Sequence, residues 1–326
     1  MKIPVRELRE LVEKALEKQG HDSAAVATIA DILMYAQLRG NCQGVVKLIG
    51  KGIPKRVGAE SPKIVKETPV SALLDGKKTH AMIVMDLATE TAIEKAKKSG
   101  VGIVGNYGSA ESTGALGYYV ERIARQGLIG IAYASTPLQL SAPYGSTEGL
   151  FSTNPMAYGI PTEGKPIILD MATAATTLFG LIEAKTAKKT LPEGLGFDKE
   201  GNPTQDPEQI MAGSIRPFGE HKGSGLALMV QILAGALVQA DSIKNWSENW
   251  GNLVMAIDPE ILTSRKAFMK EVSAIIKRVK SARKAEGVDE ILIPGERARA
   301  FNTKVMNLGE IEVEDNLLNQ LRSVAE

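Results

Sequence analysis

Histidine, tryptophan and cysteine are scarce in this chain of 326 residues, with three, two and one copies. The single cysteine, Cys42, excludes an intramolecular disulfide framework and fits a reducing compartment. His21, His80 and His221 stand far apart, so a zinc site built from His and Cys has almost no material. Charge of one sign is also missing. With 39 basic and 38 acidic residues the net charge is +1, and no global field recruits nucleic acid or an anionic membrane. No apolar run predicts a membrane span, and the start MKIPVRELREL lacks the apolar stretch of a signal peptide. The expected setting is the cytoplasm. Neither G-x-G-x-x-G after a strand, nor G-x-x-x-x-G-K-[ST], nor G-x-S-x-G occurs. A conventional Rossmann fingerprint, a P-loop and a serine-hydrolase elbow are therefore unsupported. GIVGNYG (102–108) reads as a turn rather than a phosphate cradle.

Apolar residues make up 44% of the chain, enough for a core in one large lobe or two to three smaller ones. Residues 4–19 place Val5, Leu8, Leu11, Val12, Ala15 and Leu16 on one helical face, with Gly20 as the stop. Asp22 or Ser23 can cap a second helix that turns Val26, Ile29, Ala30 and Leu33 inward. The polar, Lys- and Pro-rich stretch 54–67 predicts a boundary near residue 70. Beyond it, strands are expected at 81–85, 101–104, 128–135, within 160–172 and at 253–257, and helices at 87–99, 114–126 and 223–237. Residues 190–207 are turn-rich, 259–285 read as one long helix, and ILIPGER (291–297) as a strand entering a turn. A helix closes the chain. The expected fold class is α/β. A mixed-sheet nucleotide-binding domain of non-Rossmann type spans 71–240, and the segments 1–70 and 241–326 pack together as a helical lobe.

Three stretches invite a chemical reading. GEHKGSGLAL (219–228) places Lys222 and unpaired N–H groups at a helix N-terminus, which attracts anions. An ordinary capped helix with a solvated lysine fits it at least as well. ILDMATAATT (168–177) puts Asp170 at a strand end before small residues, where it can accept from a ribose hydroxyl, cap the following helix, or both. The basic run 265–284 has an apolar stripe of Phe268, Val272, Ile275, Ile276 and Val279 and no aromatic stacking platform. Its charges read as a solvated face, not a nucleic-acid surface.

LRGNCQGVVKL (38–48) resembles the LRG-x-x-SHG-V-x-R-L segment of the malate/L-lactate/ureidoglycolate dehydrogenase family. GALGYYVERIARQGLIGIA resembles the family's stretch after N-S-x-H-F-G, and STNPMAYGIPT its G-T-N-P-x-x-x-x-x-P. LDMAT, LPEGLGFDKEGNPTQDP, PFGEHKGSGLAL and IPGER have counterparts in the same order, so the likeness spans about residues 5 to 300. The resemblance implies a homodimeric oxidoreductase using NAD or NADP, acting on a small 2-keto or 2-hydroxy acid or a cyclic 2-imino acid. By matching positions it implies that Asp170, Met171 and Ala172 line the nucleotide. Lys222 and Gly223 would serve its phosphates, Gly295, Glu296 and Arg297 a further part, and Ser135 or Thr136 would sit near the nicotinamide.

The departures fall on the chemistry. Cys42 and Gln43 stand where the family has Ser-His, Lys47 where it has the carboxylate-binding arginine, and Ser112 where it has its second histidine. His80 lies in a changed stretch after Asp75-Gly76. The catalytic candidates are then Gln43, Ser112 and Lys47, with Arg39, Cys42, Lys47 and His80 for a carboxylate substrate and no metal. Glutamine cannot supply a proton. Either the substrate is a protonated ketimine, which needs no acid in step with the hydride, or Lys47, His80 or Tyr107 replaces the histidine. The alternative is a nucleotide-binding relative that has lost or changed hydride transfer.

Overall fold

A computed structural model describes residues 1–109, 111–241 and 249–326. Residue 110, in the SAESTG stretch, and residues 242–248, at the start of the C-terminal segment, lie outside them. Strand β1 (Lys2–Pro4) runs straight into helix α1 (Val5–Lys18), which buries Leu8, Val12, Ala15 and Leu16 as its period predicts. Asp22 caps α2 (Ser23–Gln37) by accepting the Ala25 N–H at 3.0 Å, and Val26, Ile29, Ala30 and Leu33 turn inward. Such a cap contributes roughly 0.5–2 kcal/mol.

Next come β2 (Lys63–Glu67), β3 (Ser71–Asp75), α3 (Ala81–Ser99) and β4 (Val101–Ser109). Two expectations are corrected here. AMIVM at 81–85 is the start of α3, not a strand. His80 caps it through Nδ1, which accepts the Met82 N–H at 3.3 Å, and the run is apolar because α3 lies flat on the sheet. GIVGNYG is not a turn but the body of β4. A Cβ at Gly102 would sit 2.0 Å from the Ala92 carbonyl oxygen, and one at Gly105 2.6 Å from Val238 Cγ1, so these glycines let neighbours approach the strand.

α4 (Leu116–Arg125), β5 (Ile129–Ser135), β6 (Met156–Ile160) and β7 (Ile167–Met171) follow. α5 (Leu178–Thr186) is capped by Thr177 Oγ1, which accepts the Gly180 N–H at 3.0 Å, so Asp170 does not cap the helix that follows it. The turn-rich stretch supplies β8 (Gly196–Phe197) and β9 (Pro203–Thr204), then α6 (Pro207–Ala212) and β10 (Ser214–Ile215). These three strands form a small sheet in the order β10-β8-β9. α7 (His221–Ala234) and β11 (Trp250–Ile257) complete the central region. By length and composition His221–Val238 reaches membrane-spanning dimensions, contrary to the expectation above, although it packs on β5 and β11.

The expected single helix 259–285 is shorter: a 3-10 turn at Pro259–Ile261 precedes α8 (Arg265–Lys280), capped by Ser264. Of its apolar stripe only Val272 is buried. No strand forms at 291–297. Gly295, at φ 91°, instead caps α9 (Glu296–Leu308), and the Glu296 carboxylate turns back to accept the Ile293 N–H at 2.9 Å. β12 (Glu310–Glu312) and α10 (Asp315–Ala325) end the chain.

The main sheet has seven strands in the order β2-β3-β4-β11-β5-β6-β7. Only β3 and β4 pair in parallel; the other neighbours are antiparallel, which makes the sheet mixed. It takes its edge strand from before residue 70 and β11 from beyond 240. The two termini meet: β1 pairs with β12, and α1 packs on α2 and α10.

Candidate active site

A cavity of about 1530 Å³ opens where the segment after α2, the N-terminus of α4, the end of β7 and the start of α9 converge. That exceeds the roughly 300–1,000 Å³ of an ordinary small-molecule pocket, so a large ligand and a small one fit together.

One wall comes from residues 39–43. Asn41 Oδ1 accepts the Gln43 N–H at 2.9 Å and Gln37 Oε1 accepts the Val45 N–H at 3.1 Å, which folds this short segment back on α2. A Cβ at Gly44 would meet Gln37 Cβ at 2.9 Å and its backbone Cα at 3.0 Å, so the glycine lets the segment approach α2 closely. Cys42 and Gln43 then face the cavity. Cys42 Sγ lies 3.2 Å from Thr177 Oγ1, and the Gln43 side-chain amide 3.9 Å from the same sulfur.

Ser112 shares this wall, and Lys47 lies behind it. Lys47 is 2% exposed, and its Nζ donates to Ser112 Oγ at 2.7 Å while sitting 3.2 Å from the centre of the Phe179 ring. Burial pushes the amine well below the ordinary lysine range; Cys42 and Glu111 oppose that less strongly. Glu111 is itself engaged by Arg56 at 2.7 Å and Lys51 at 3.5 Å. Ser112 and Phe179 line the cavity and Lys47 does not, so Lys47 is not placed to grip a substrate carboxylate directly. His80 is also absent from the wall. It is buried at the start of α3, where burial, then His21 and Lys47, push its imidazole down to about 3 and keep it neutral. Tyr107 stands away from the wall too.

Asp170, Met171, Ala172 and Thr136 also line the cavity. Asp170 Oδ2 accepts the Gly117 N–H at the start of α4 at 2.8 Å. Burial raises this carboxyl to about 6, a rise that the single hydrogen bond only moderates. Gly295 and Arg297 close the rim, whereas the Glu296 carboxylate is held by Lys280 at 2.9 Å and faces away. Ser135 lies behind the wall with a buried hydroxyl that has no hydrogen-bond partner. Lys222 and Gly223 sit at the N-terminus of α7, outside the cavity. A Cβ at Gly223 would meet the Phe218 carbonyl at 2.1 Å, so that glycine serves close packing.

Sequence reasoning missed a polar cluster at the rim. The Tyr35 hydroxyl donates to Glu121 at 2.7 Å, and the Arg39 guanidinium lies 3.6 Å from the Tyr35 ring centre and 3.4 Å from Glu121. Arg125 Nε donates to Glu121 at 3.1 Å. Burial works against the Glu121 charge, yet the bonds from Arg125 and Tyr35 outweigh it and hold the carboxyl below its usual range. The signal was present in the i,i+4 pairs Tyr35/Arg39 and Glu121/Arg125, but nothing local says that the two helices meet.

The residues suit a nicotinamide dinucleotide. Asp170 is an acceptor in need of hydroxyl donors, the small side chain of Ala172 leaves backbone open to a ligand, and Arg125, Arg265, Arg297 and Arg299 bring positive charge to the lining, although Glu121 and Asp258 pair with the first two and Arg299 donates to the Pro166 carbonyl. None of the three histidines lines it.

The sequence pattern of the malate/L-lactate dehydrogenase family matches residues 3–322. Malate/(S)-sulfolactate dehydrogenase of Methanothermus fervidus is 35% identical over 341 residues, covering 100% of this chain and 98% of that protein. Ureidoglycolate dehydrogenase (NAD(+)) of Escherichia coli K12 is 30% identical, with 100% and 96% covered. Among solved structures, delta1-piperideine-2-carboxylate reductase from Pseudomonas syringae pvar. tomato superposes with a TM-score of 0.82 at 26% identity, covering 99% of each chain.

Proposed function

The chain belongs to the malate/L-lactate dehydrogenase family and is an oxidoreductase that uses a nicotinamide nucleotide; we propose that it acts on a small 2-keto or 2-hydroxy acid or a cyclic 2-imino acid, with NAD or NADP, through a rebuilt proton-transfer site. The observation that carries this reading is that one cavity is lined by Asp170 together with Cys42, Gln43 and Ser112. Asp170, Met171, Ala172, Thr136, Gly295 and Arg297 would hold the cofactor. When bound, the cofactor supplies or accepts a hydride.

The chain's own residues bind and orient the substrate. Gln43 offers an amide N–H to a substrate oxygen or nitrogen, and Ser112 offers a hydroxyl. Arg39 approaches the same wall, although Glu121 and Tyr35 share its charge. Reduction of a ketone leaves an alkoxide that must gain a proton, whereas reduction of a protonated ketimine leaves a neutral amine. Oxidation of NADH or NADPH by the purified protein, followed at 340 nm with a panel of 2-keto acids and cyclic 2-imino acids, tests the reading. Turnover with one of these classes is expected; none with either, at either cofactor, defeats it.

We read the chain further as a homodimer. Leu228, Met229 and Ile232 share a face of α7 and are 41%, 48% and 45% exposed, with Leu237 beyond them at 60%. An apolar face of that kind fits a second copy better than open water. Ile232→Glu is expected to convert the sedimenting species from dimer to monomer, and an unchanged sedimentation coefficient would count against the face.

A further inference from the structure

We propose that Ser112 and Lys47 form a proton relay that delivers a proton from behind the cavity wall to the substrate oxygen, in place of a histidine. The inference rests on the oxidoreductase reading above and names how its site moves the proton.

The hydrogen-bond inventory of Ser112 carries the argument. A hydroxyl has one proton to donate and two lone pairs to receive. Ser112 Oγ receives from Lys47 Nζ at 2.7 Å and from the Gly114 N–H at 3.2 Å. Both lone pairs are engaged, so the hydroxyl proton points elsewhere, and Ser112 lines the cavity. Two donors on the oxygen also polarise the O–H and make it a better acid. Lys47 touches no substrate. It is buried, roofed by Phe179, and reaches the cavity only through the serine. The titratable groups around it are Cys42, Glu111 and His80, and none places a committed carboxylate on the amine: Glu111 is held by Arg56. Its burial favours the neutral amine, so an ammonium formed there gives up its proton readily.

In the reducing direction the carbonyl carbon of the substrate takes a hydride from the reduced dinucleotide. The carbonyl π electrons move to the oxygen, which takes the Ser112 proton. Ser112 recovers a proton from the Lys47 ammonium; once product has left, water in the cavity protonates the amine back through the Ser112 hydroxyl. In the oxidising direction each transfer reverses: Ser112 accepts the alcohol proton and passes its own to the Lys47 amine. Ser112 is the catalytic residue; Lys47 acts through it.

The test uses the full-length protein. With a 2-keto acid, Ser112→Ala and Lys47→Met are each expected to lower kcat by about 100-fold, inside the 10²–10⁴ range for a positioned acid, and the double variant by about the same. With a cyclic 2-imino acid each variant is expected to lose at least about tenfold less than it loses with a 2-keto acid, because no proton must accompany the hydride. Wild-type reduction of a keto acid slows as pH rises through the Lys47 titration, and Lys47→Met removes that limb. Independently of turnover, 15N NMR of lysine-labelled protein reports Nζ directly, assigned by the signal lost in Lys47→Met. It should titrate below the ordinary lysine range and shift in Ser112→Ala. A keto-acid kcat within threefold of wild type in either variant overturns the relay. So does an Nζ that titrates like a free lysine and ignores Ser112→Ala. A wild type inert towards every substrate defeats the substrate reading instead, and the NMR titration then decides the relay alone.

Discussion

Asp170→Asn is expected to stabilise the free protein at pH 7.5 and weaken its grip on the dinucleotide. Burial raises the Asp170 carboxyl from 3.8 to about 6. The folded state therefore holds this proton more tightly than the unfolded chain. Below pH 3.8 both states are protonated and the contribution is complete; it is lost as pH rises through about 6, where the folded state must ionise a desolvated carboxyl. A difference of about two pH units corresponds to roughly 3 kcal/mol at neutral pH, as an order of magnitude. Asparagine has the same shape, can still accept the Gly117 N–H, and carries no charge to desolvate. Its melting temperature should exceed that of wild type at pH 7.5, and the gap should close by pH 4. The cofactor loses a charged acceptor, so its dissociation constant should rise about tenfold, near the difference between a charge-assisted and a neutral hydrogen bond. Scanning fluorimetry at pH 4, 6 and 7.5 and calorimetry with NADH read both arms. Equal melting temperatures at every pH would mean that this carboxylate is not strained.

The same carboxylate shows what could be read without coordinates. A strand carrying an acid before Met171-Ala172 suggested a ligand-facing position, and Asp170 lines the cavity. The sequence could not show the Gly117 N–H that pins it, because 53 residues separate the partners. Helices α1 and α2 were legible because both keep a helical period and α2 begins at a real cap, Asp22. AMIVM was not: a five-residue apolar run has no period to measure, and only the sheet beneath α3 explains why it is apolar. The glycines of GIVGNYG look like turn residues until Ala92 and Val238 are seen pressing on them. Lys47 is the sharpest case. Aligned on an arginine, it reads as a carboxylate clamp; folded, it is sealed beneath Ser112 and Phe179. Burial decides between those roles, and no local pattern encodes it.

Gly159→Ala should damage both the fold and the site through a single methyl group. Gly159 of β6 faces Gly130 of β5 across the sheet, and α4 rests on the pair. A Cβ at Gly159 would lie 2.2 Å from the Val120 carbonyl oxygen and 2.7 Å from its carbon, both helix backbone that cannot swing aside. At Gly130 the nearest atoms, Ile123 Cβ and Val120 O, stand 3.0 and 3.1 Å away, so a shift of a few tenths of an ångström suffices. Overpacking costs about 1–3 kcal/mol, and Gly159→Ala belongs at the upper end while Gly130→Ala belongs at the lower. The damage reaches the cavity as well. Lifting α4 carries away the Gly117 N–H that holds Asp170 at 2.8 Å, and with it the dinucleotide wall. Urea denaturation should therefore rank wild type above Gly130→Ala above Gly159→Ala. Fluorescence titration with NADH, done below the unfolding transition, should show weakened binding in Gly159→Ala alone. A reversed ranking, or Gly159→Ala binding NADH like wild type, would separate the seat of α4 from the site it is argued to support.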